Sequence, residues 1–139
     1  AIIIKENRLL CIKKSYDHGV FYILTGGWQE KDETFTDTLK WECIEELGSR
    51  VTVGKLKYIR EYIGRNHEFS ATDTAHQVEY MFACELLEEP NPQKATHCDE
   101  GQKGIEWVEI TCSNIRVYPK VLIERLYTNY EELYWGDVN

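Results

Sequence analysis

Apolar positions in this chain fall into short continuous runs and one long periodic stretch. Ala1-Ile2-Ile3-Ile4 is the first run, and Arg8-Leu9-Leu10-Cys11-Ile12-Lys13 resumes it after Lys5-Glu6-Asn7, which predicts a hairpin with a short polar turn. Val20-Phe21-Tyr22-Ile23-Leu24 is rich in β-branched and aromatic residues and predicts a buried strand. From Phe35 the period changes. Phe35, Leu39, Cys43 and Leu47 recur every fourth residue, the spacing of one helix face. Thr34 is a fitting N-cap, with Asp37 three residues on in a capping-box arrangement. Gly48 suits a left-handed helix terminator. The helix is therefore expected over about 35 to 47.

The rest of the chain reads mainly as strands. Val51 to Ile63 predicts one or two strands and Ala75 to Leu87 a long one, with the two segments paired antiparallel. The polar stretch from Gly64 to Thr74 is a loop, and so is Glu88 to Lys103, broken by Pro90 and Pro92. Ile105 to Ile110 alternates as a short strand. Val117-Tyr118-Pro119 is expected to open a C-terminal helix with Pro119 near its first turn, carrying Leu122, Ile123, Leu126 and Tyr130 on its apolar face. Strands outnumber helices, and two amphipathic helices must each cover a sheet face. The expected fold is an α/β three-layer α/β/α sandwich around a mixed β-sheet. No repeat, low-complexity tract or linker divides residues 1–139, so a single domain is expected.

Charge narrows the partners. The chain carries a net charge of −8, which argues against non-specific binding to nucleic acid or to an anionic membrane. A nucleotide substrate stays open, because a metal supplies positive charge locally. No apolar run is long enough to span a membrane, and no signal-peptide pattern is visible. The chain begins at Ala rather than Met, which leaves room for a preceding segment. The five cysteines form an odd set without Cys-x-x-Cys spacing. Cys11, Cys43 and Cys84 lie inside apolar patterns as small hydrophobes. A reducing, cytoplasmic setting is expected, with the protein a monomer or homodimer.

The chemistry concentrates beside the helix stripe. Glu42, Glu45 and Glu46 lie at i, i+3 and i+4, within about 100° of arc on one side of a helix. Like charges at this spacing are mildly destabilising. A solvated acidic face is one explanation. A divalent cation is the other, and carboxylate oxygens suit hard ions such as Mg²⁺ or Mn²⁺. Ahead of the helix, Gly26-Gly27 permits close approach of the backbone to a ligand and equally suits a tight turn.

The stretch from Gly27 to Gly48 resembles the Nudix box: Gly, five residues, Glu, seven residues, Arg-Glu, an apolar residue, any residue, Glu-Glu, any residue, Gly and an apolar residue. Gly27, Glu33, Glu42, Glu45, Glu46 and Gly48 match, and Cys43 is acceptable at its apolar position. Trp41 stands in place of Arg, and Ser49 in place of an apolar residue. The element order is also similar to that of Nudix (MutT-like) proteins, including Gly104-Ile105-Glu106-Trp107-Val108 ahead of the last helix.

The resemblance implies a hydrolase that cleaves a diphosphate in a nucleoside diphosphate derivative or a related small organic diphosphate, using Mg²⁺ or Mn²⁺. It implies Glu42, Glu45 and Glu46 as metal ligands, with the Gly26 or Gly27 backbone adding a ligand or phosphate contact, and Glu33 tying the loop to the helix. Glu42 is the choice for the base, and Glu42, Glu45 and Glu100 make up the catalytic set. Glu100 comes from the loop before the Gly-x-x-Trp strand, where Asp99 could substitute for it. For substrate, Arg60, Arg65 and His67 could hold phosphates, and Trp28, Tyr16 or Phe69 could stack on a base. His18, His76 and His97 lack ligand spacing and read as structural. The alternative is a non-catalytic Nudix-fold protein that binds a nucleotide or a partner. Trp41 favours it and the intact Glu triad opposes it, since an Arg at 41 would pair with the carboxylates and fix their rotamers.

Overall fold

The structure is a computed structural model that describes residues 1–16, 19–67, 73–97, 100–111 and 115–139. His18, Phe69, Cys98, Asp99 and Cys112 lie outside the described residues. The chain runs β1 (Ile2–Lys5), β2 (Arg8–Tyr16), β3 (Gly19–Ile23), α1 (Phe35–Leu47), β4 (Val51–Ile63), a 3-10 turn (Gly64–Asn66), β5 (His76–Leu86), β6 (Gln102–Glu109), β7 (Val117–Tyr118), α2 (Leu122–Tyr127) and β8 (Tyr134–Asp137).

The strands form one mixed sheet in the order β7-β3-β2-β1-β5-β4-β8, with β6 pairing β2. The apolar runs are continuous because both sheet faces are covered. Alternate residues part to opposite sides. Ile2, Leu9 and Cys11 join Leu122 and Ile123 of α2 and Trp135 of β8. Ile3, Leu10 and Ile12 join Leu39, Cys43 and Leu47 of α1. This is the α/β/α layering of the sequence reading. Phe35 departs from the helix stripe: it is 40 % exposed and stacks on Tyr80 with ring centroids 4.5 Å apart.

β1 is the short hinge of the sheet. It pairs antiparallel with β2 at Ile4 and Lys5 and parallel with β5 at Ile2 and Ile3, opposite Ala83 and Cys84. β3 pairs β2 farther along, from Ile12 to Tyr16. Four residues of β1 cannot fill the gap between β3 and the first half of β5, so the sheet forks there. Two cavities open at this fork.

Both ends of α1 follow their local sequence. Thr34 Oγ1 accepts the Asp37 N–H at 3.2 Å, and an Asp37 oxygen faces the Thr34 N–H at 3.4 Å. At the other end Gly48 has φ 59° and ψ 33°, and its N–H caps the last turn. The orphan carbonyls of that turn are taken by the chain that follows β5: Asn91 N–H donates to Leu47 at 2.9 Å and His97 N–H to Glu45 at 3.2 Å. Ser49 is buried because its hydroxyl donates to the Glu88 carbonyl at 2.7 Å. A Cβ on Gly48 would lie 2.1 Å from the Asn91 carbonyl oxygen. Gly48→Ala is therefore expected to cost on the order of 2–4 kcal/mol, from left-handed strain plus a clash with fixed backbone, measured by denaturant unfolding.

The C-terminal region corrects the sequence reading. Val117 and Tyr118 do not open a helix; they form a strand parallel to β3, opposite Tyr22 and Ile23. The helix begins only at Leu122 and is short. Beyond it lies β8, parallel to β4, which the sequence reading did not place. Trp135 packs at a tilt against Tyr58, ring centroids 4.3 Å apart, so a single buried indole carries what periodicity could not show. Asp137 then pins the strand end. It accepts from Asn66 Nδ2 at 2.7 Å, bonds His67 Nε2 at 2.7 Å and accepts the Ile63 N–H at 3.0 Å. These partners, the Asn66 amide first, hold its carboxyl down from the ordinary 3.8 to about 2. A lowered folded-state value means stability that is present above the unfolded value and lost as the pH falls through the folded one. Asp137→Asn is expected to lower the melting temperature at neutral pH, with the deficit closing between about pH 4 and pH 2, in melts of both proteins across that range.

Candidate active site

The carboxylates of α1 meet the Gly26–Gly27 turn. Glu46 is 3 % exposed, and its Oε2 accepts the Gly26 N–H at 3.1 Å. A Cβ on Gly27 would lie 1.8 Å from Glu42 Oε1, so only glycine lets that carboxylate lie against the turn. Glu45 sits half-buried on the same helix side. Glu33 joins the turn to the helix: its Oε2 accepts from Thr38 Oγ1 at 2.8 Å and from the Glu30 N–H at 3.3 Å.

The loop before β6 brings Glu100 to the rim of the sheet. Glu100 is exposed, and its backbone carbonyl accepts from Tyr16 OH at 2.6 Å and Lys14 Nζ at 3.2 Å. The neighbour that reaches α1 is Gln102, whose Nε2 lies 3.4 Å from the Glu46 carbonyl. Gln102 Oε1 is buried with no hydrogen-bond partner. The sequence reading missed Gln102; its signal was its place two residues beyond Glu100 in the Glu-Gly-Gln run.

Among the described residues no three His, Cys, Asp or Glu side chains are already gathered as a metal cluster. The donor chemistry nonetheless fits a hard divalent cation. Glu42 and Glu46 face one backbone turn, and an orphaned amide oxygen lies beside Glu46. Two buried thiols do not compete as ligands or nucleophiles. Burial pushes Cys43 and Cys11 up to about 12, which keeps them protonated at neutral pH.

Two cavities occupy the fork of the sheet. The first, about 670 Å³, runs from Gly26, Gly27 and Trp28 at its mouth to Arg60, Gln77 and Glu79 of the β4–β5 pair. The second, about 820 Å³, lies toward Tyr16, Phe21 and Arg116 and borders Glu100 and Gly101. They share Ile23, Arg60, Gln77 and Tyr118 as a common wall.

The substrate candidates fall at different distances from this cleft. Trp28 stands at the first mouth, 73 % exposed. Tyr16 lines the second cavity, stacked with Phe21. Arg60 lines both but is buried, its Nε and Nη2 each 2.7 Å from a Glu79 oxygen. Arg65 is exposed on the 3-10 turn and lines neither cavity. His67 is committed to Asp137 and stacks on Tyr62 at 4.9 Å. Trp41 is 59 % exposed, so the indole in place of the box Arg is not core.

The fold is similar to that of a NUDIX hydrolase from Nitrosomonas europaea, at 14 % identity, TM-score 0.71, covering 95 % of this chain and 87 % of that one. It is also similar to an ADP-ribose pyrophosphatase from Streptococcus suis, at 15 % identity, TM-score 0.62, covering 99 % and 94 %. A MutT NUDIX hydrolase from Burkholderia pseudomallei matches at 17 % identity, TM-score 0.64, covering 88 % and 89 %. No curated protein matches the chain at significant similarity. Among the described residues no helix is long and apolar enough to cross a membrane. The NUDIX domain model matches residues 1–116, most of the chain and all of the elements that build the Gly26–Glu46 site, and the chain belongs to that family.

Proposed function

We propose that this chain is a Nudix-type pyrophosphohydrolase, a metal-dependent enzyme that cleaves the diphosphate linkage of a small nucleoside diphosphate derivative or related organic diphosphate. The observation that carries this reading is the convergence of Glu42 and Glu46 on the Gly26–Gly27 backbone at the mouth of a cavity. Glu42, Glu45, Glu46 and the Gly26 carbonyl would hold Mg²⁺ or Mn²⁺. Such an ion, when bound, neutralises phosphate charge and lowers the pKa of water. The chain's own residues do the rest. Glu42 orients and deprotonates the attacking water, and the Gly26–Gly27 turn lets the diphosphate approach the helix. Glu100 borders the second cavity and stands as a further acid–base group. Trp28 offers a ring at the mouth. Arg60 is bound into an ion pair with Glu79 and Arg65 stands outside both cavities, so neutralising the phosphates falls chiefly to the metal. The similarity to an ADP-ribose pyrophosphatase and to a UDP-X diphosphatase supports a diphosphate as substrate.

The test is release of monophosphate from a panel of nucleoside diphosphate derivatives, with and without Mg²⁺ and Mn²⁺. Metal-dependent release supports the reading. Tight nucleotide binding without release at any metal concentration supports instead a non-catalytic binding protein. Trp41 sets the expected strength of the activity. One helical turn from Glu45, an indole gives one donor and no charge where a guanidinium would offset the clustered carboxylates. Trp41→Arg, at an exposed position, is expected to preserve the melting temperature and to raise turnover at low metal concentration. A folded variant with lower turnover would assign the indole a packing or stacking role.

A further inference from the structure

The ladder between β2 and β6 ends in an irregular step. Its register runs from Arg8 opposite Glu109 to Lys13 opposite Gly104, then shifts so that Lys14 faces Gln102. The strand pairs end there, one residue short of Gly101 and two short of Glu100. Three consecutive residues of β2 hold those two instead. The Ser15 N–H donates to the Gly101 carbonyl at 3.0 Å. The Tyr16 hydroxyl and the Lys14 amine both donate to the Glu100 carbonyl, at 2.6 Å and 3.2 Å. Side chains two apart on a strand leave from the same face, so Lys14 and Tyr16 can meet at one oxygen.

The anchoring groups are themselves fixed. Lys14 is buried. The Tyr16 ring stacks with Phe21, centroids 6.0 Å apart and planes 17° apart. Gly101, at φ 75°, packs so closely on that ring that a Cβ would lie 2.4 Å from Tyr16 Cζ. A side chain there would push ring and loop apart, so the glycine keeps hydroxyl and carbonyl within reach of each other. The ring itself is 46 % exposed and borders the second cavity together with Glu100 and Gly101. Its stacking does not depend on its hydroxyl.

Resting on the diphosphate-hydrolase reading above, with Glu100 as an acid–base group, we infer that Tyr16 is a positioning residue for Glu100. Its hydroxyl, beside the Lys14 amine, fixes the Glu100 backbone and so the point from which the exposed carboxylate reaches out. Without that tether the loop ahead of β6 is free to shift, and a displacement of about 1 Å can cost about a hundredfold in rate. Tyr16 thus acts on turnover through Glu100 and not by touching the substrate, although its ring stands at a cavity wall. The two roles separate experimentally, because the hydroxyl serves the loop and the ring would serve a ligand.

Tyr16→Phe deletes the hydroxyl and keeps the ring against Phe21. Steady-state rates are measured with Mg²⁺ or Mn²⁺ and a hydrolysed nucleoside diphosphate derivative for wild type, Tyr16→Phe, Glu100→Gln and the double variant, with melting temperatures alongside. Tyr16→Phe is expected to lower kcat about tenfold, with KM held within about twofold and the melting temperature little changed. In the double variant kcat should equal that of Glu100→Gln alone, because the tether has nothing to place once the carboxylate is gone. Losses that multiply in the double variant would show Tyr16 acting independently of Glu100 and overturn the inference. So would an unchanged kcat in Tyr16→Phe, or a rise in KM alone, which would make Tyr16 a substrate contact. A silent Glu100→Gln also overturns it, while metal-dependent release by that variant leaves the hydrolase reading standing. No release by wild type from any derivative removes the hydrolase reading and this assignment with it.

Discussion

Glu46→Gln is expected to abolish metal-dependent stabilisation and to lower kcat/KM on the order of a hundredfold or more, since loss of an outer-shell partner of a metal ligand already reaches that size. The substitution separates charge from architecture. Glu46 is 3 % exposed, and its Oε2 accepts the Gly26 N–H at 3.1 Å. A glutamine carbonyl can accept the same bond, so the turn stays attached to the helix. What disappears is the negative charge that a hard cation requires. The readouts are thermal melts of metal-free protein titrated with Mg²⁺ or Mn²⁺, followed by rates. Wild type should gain stability with millimolar metal, because the ion binds the folded state preferentially. The variant should gain little. An equal gain in both proteins would remove Glu46 from the ligand set, whatever the rates show.

Gly27→Ala should be the more selective lesion: a loss of about a hundredfold in kcat with stability changed by no more than about 1 kcal/mol. The added methyl would lie 1.8 Å from Glu42 Oε1 and 2.4 Å from its Cδ. Both are atoms at the far end of a flexible side chain, so the helix need not move. The carboxylate must. A displacement of about 1 Å in a group that orients a reactant is enough to cost two orders of magnitude. Gly27 is not among the glycines with positive φ, so alanine brings no backbone strain there. Gly48 differs on both counts: its φ is 59° and its clash is with backbone, so the cost of that substitution falls on folding. Near-normal turnover in a folded Gly27→Ala protein would show that Glu42 does not act from the position it holds against the turn.

The sequence alone determined the parts of this protein that local physics specifies. The hairpin of β1 and β2, the extent of α1 and the pairing of β4 with β5 follow from apolar period, caps and turn residues. The Thr34 and Gly48 caps sit where short-range hydrogen bonding places them. The family was legible because the Glu stripe, the Gly27 turn and Gly48 lie at fixed spacings on one loop and helix, so a linear pattern records a local geometry.

Tertiary structure decided whatever depends on distant segments meeting. β7 and β8 are short strands whose partners are β3 and β4. With only 2 and 4 residues they carry no period to read, and Val117-Tyr118-Pro119 resembles a helix start until Tyr22 and Ile23 claim its backbone. Ser49, a departure from the box by type, fits because the Glu88 carbonyl happens to lie beside it. The cleft residues divide for the same reason. Arg60 and Arg65 are alike in sequence, yet one is folded against Glu79 inside the fork and the other stands on a turn outside it. Gln77 and Glu79 gave no signal at all in the sequence. They form one hydrogen-bonded group only because Arg60, on the neighbouring strand, donates to both oxygens of Glu79 beside Gln77.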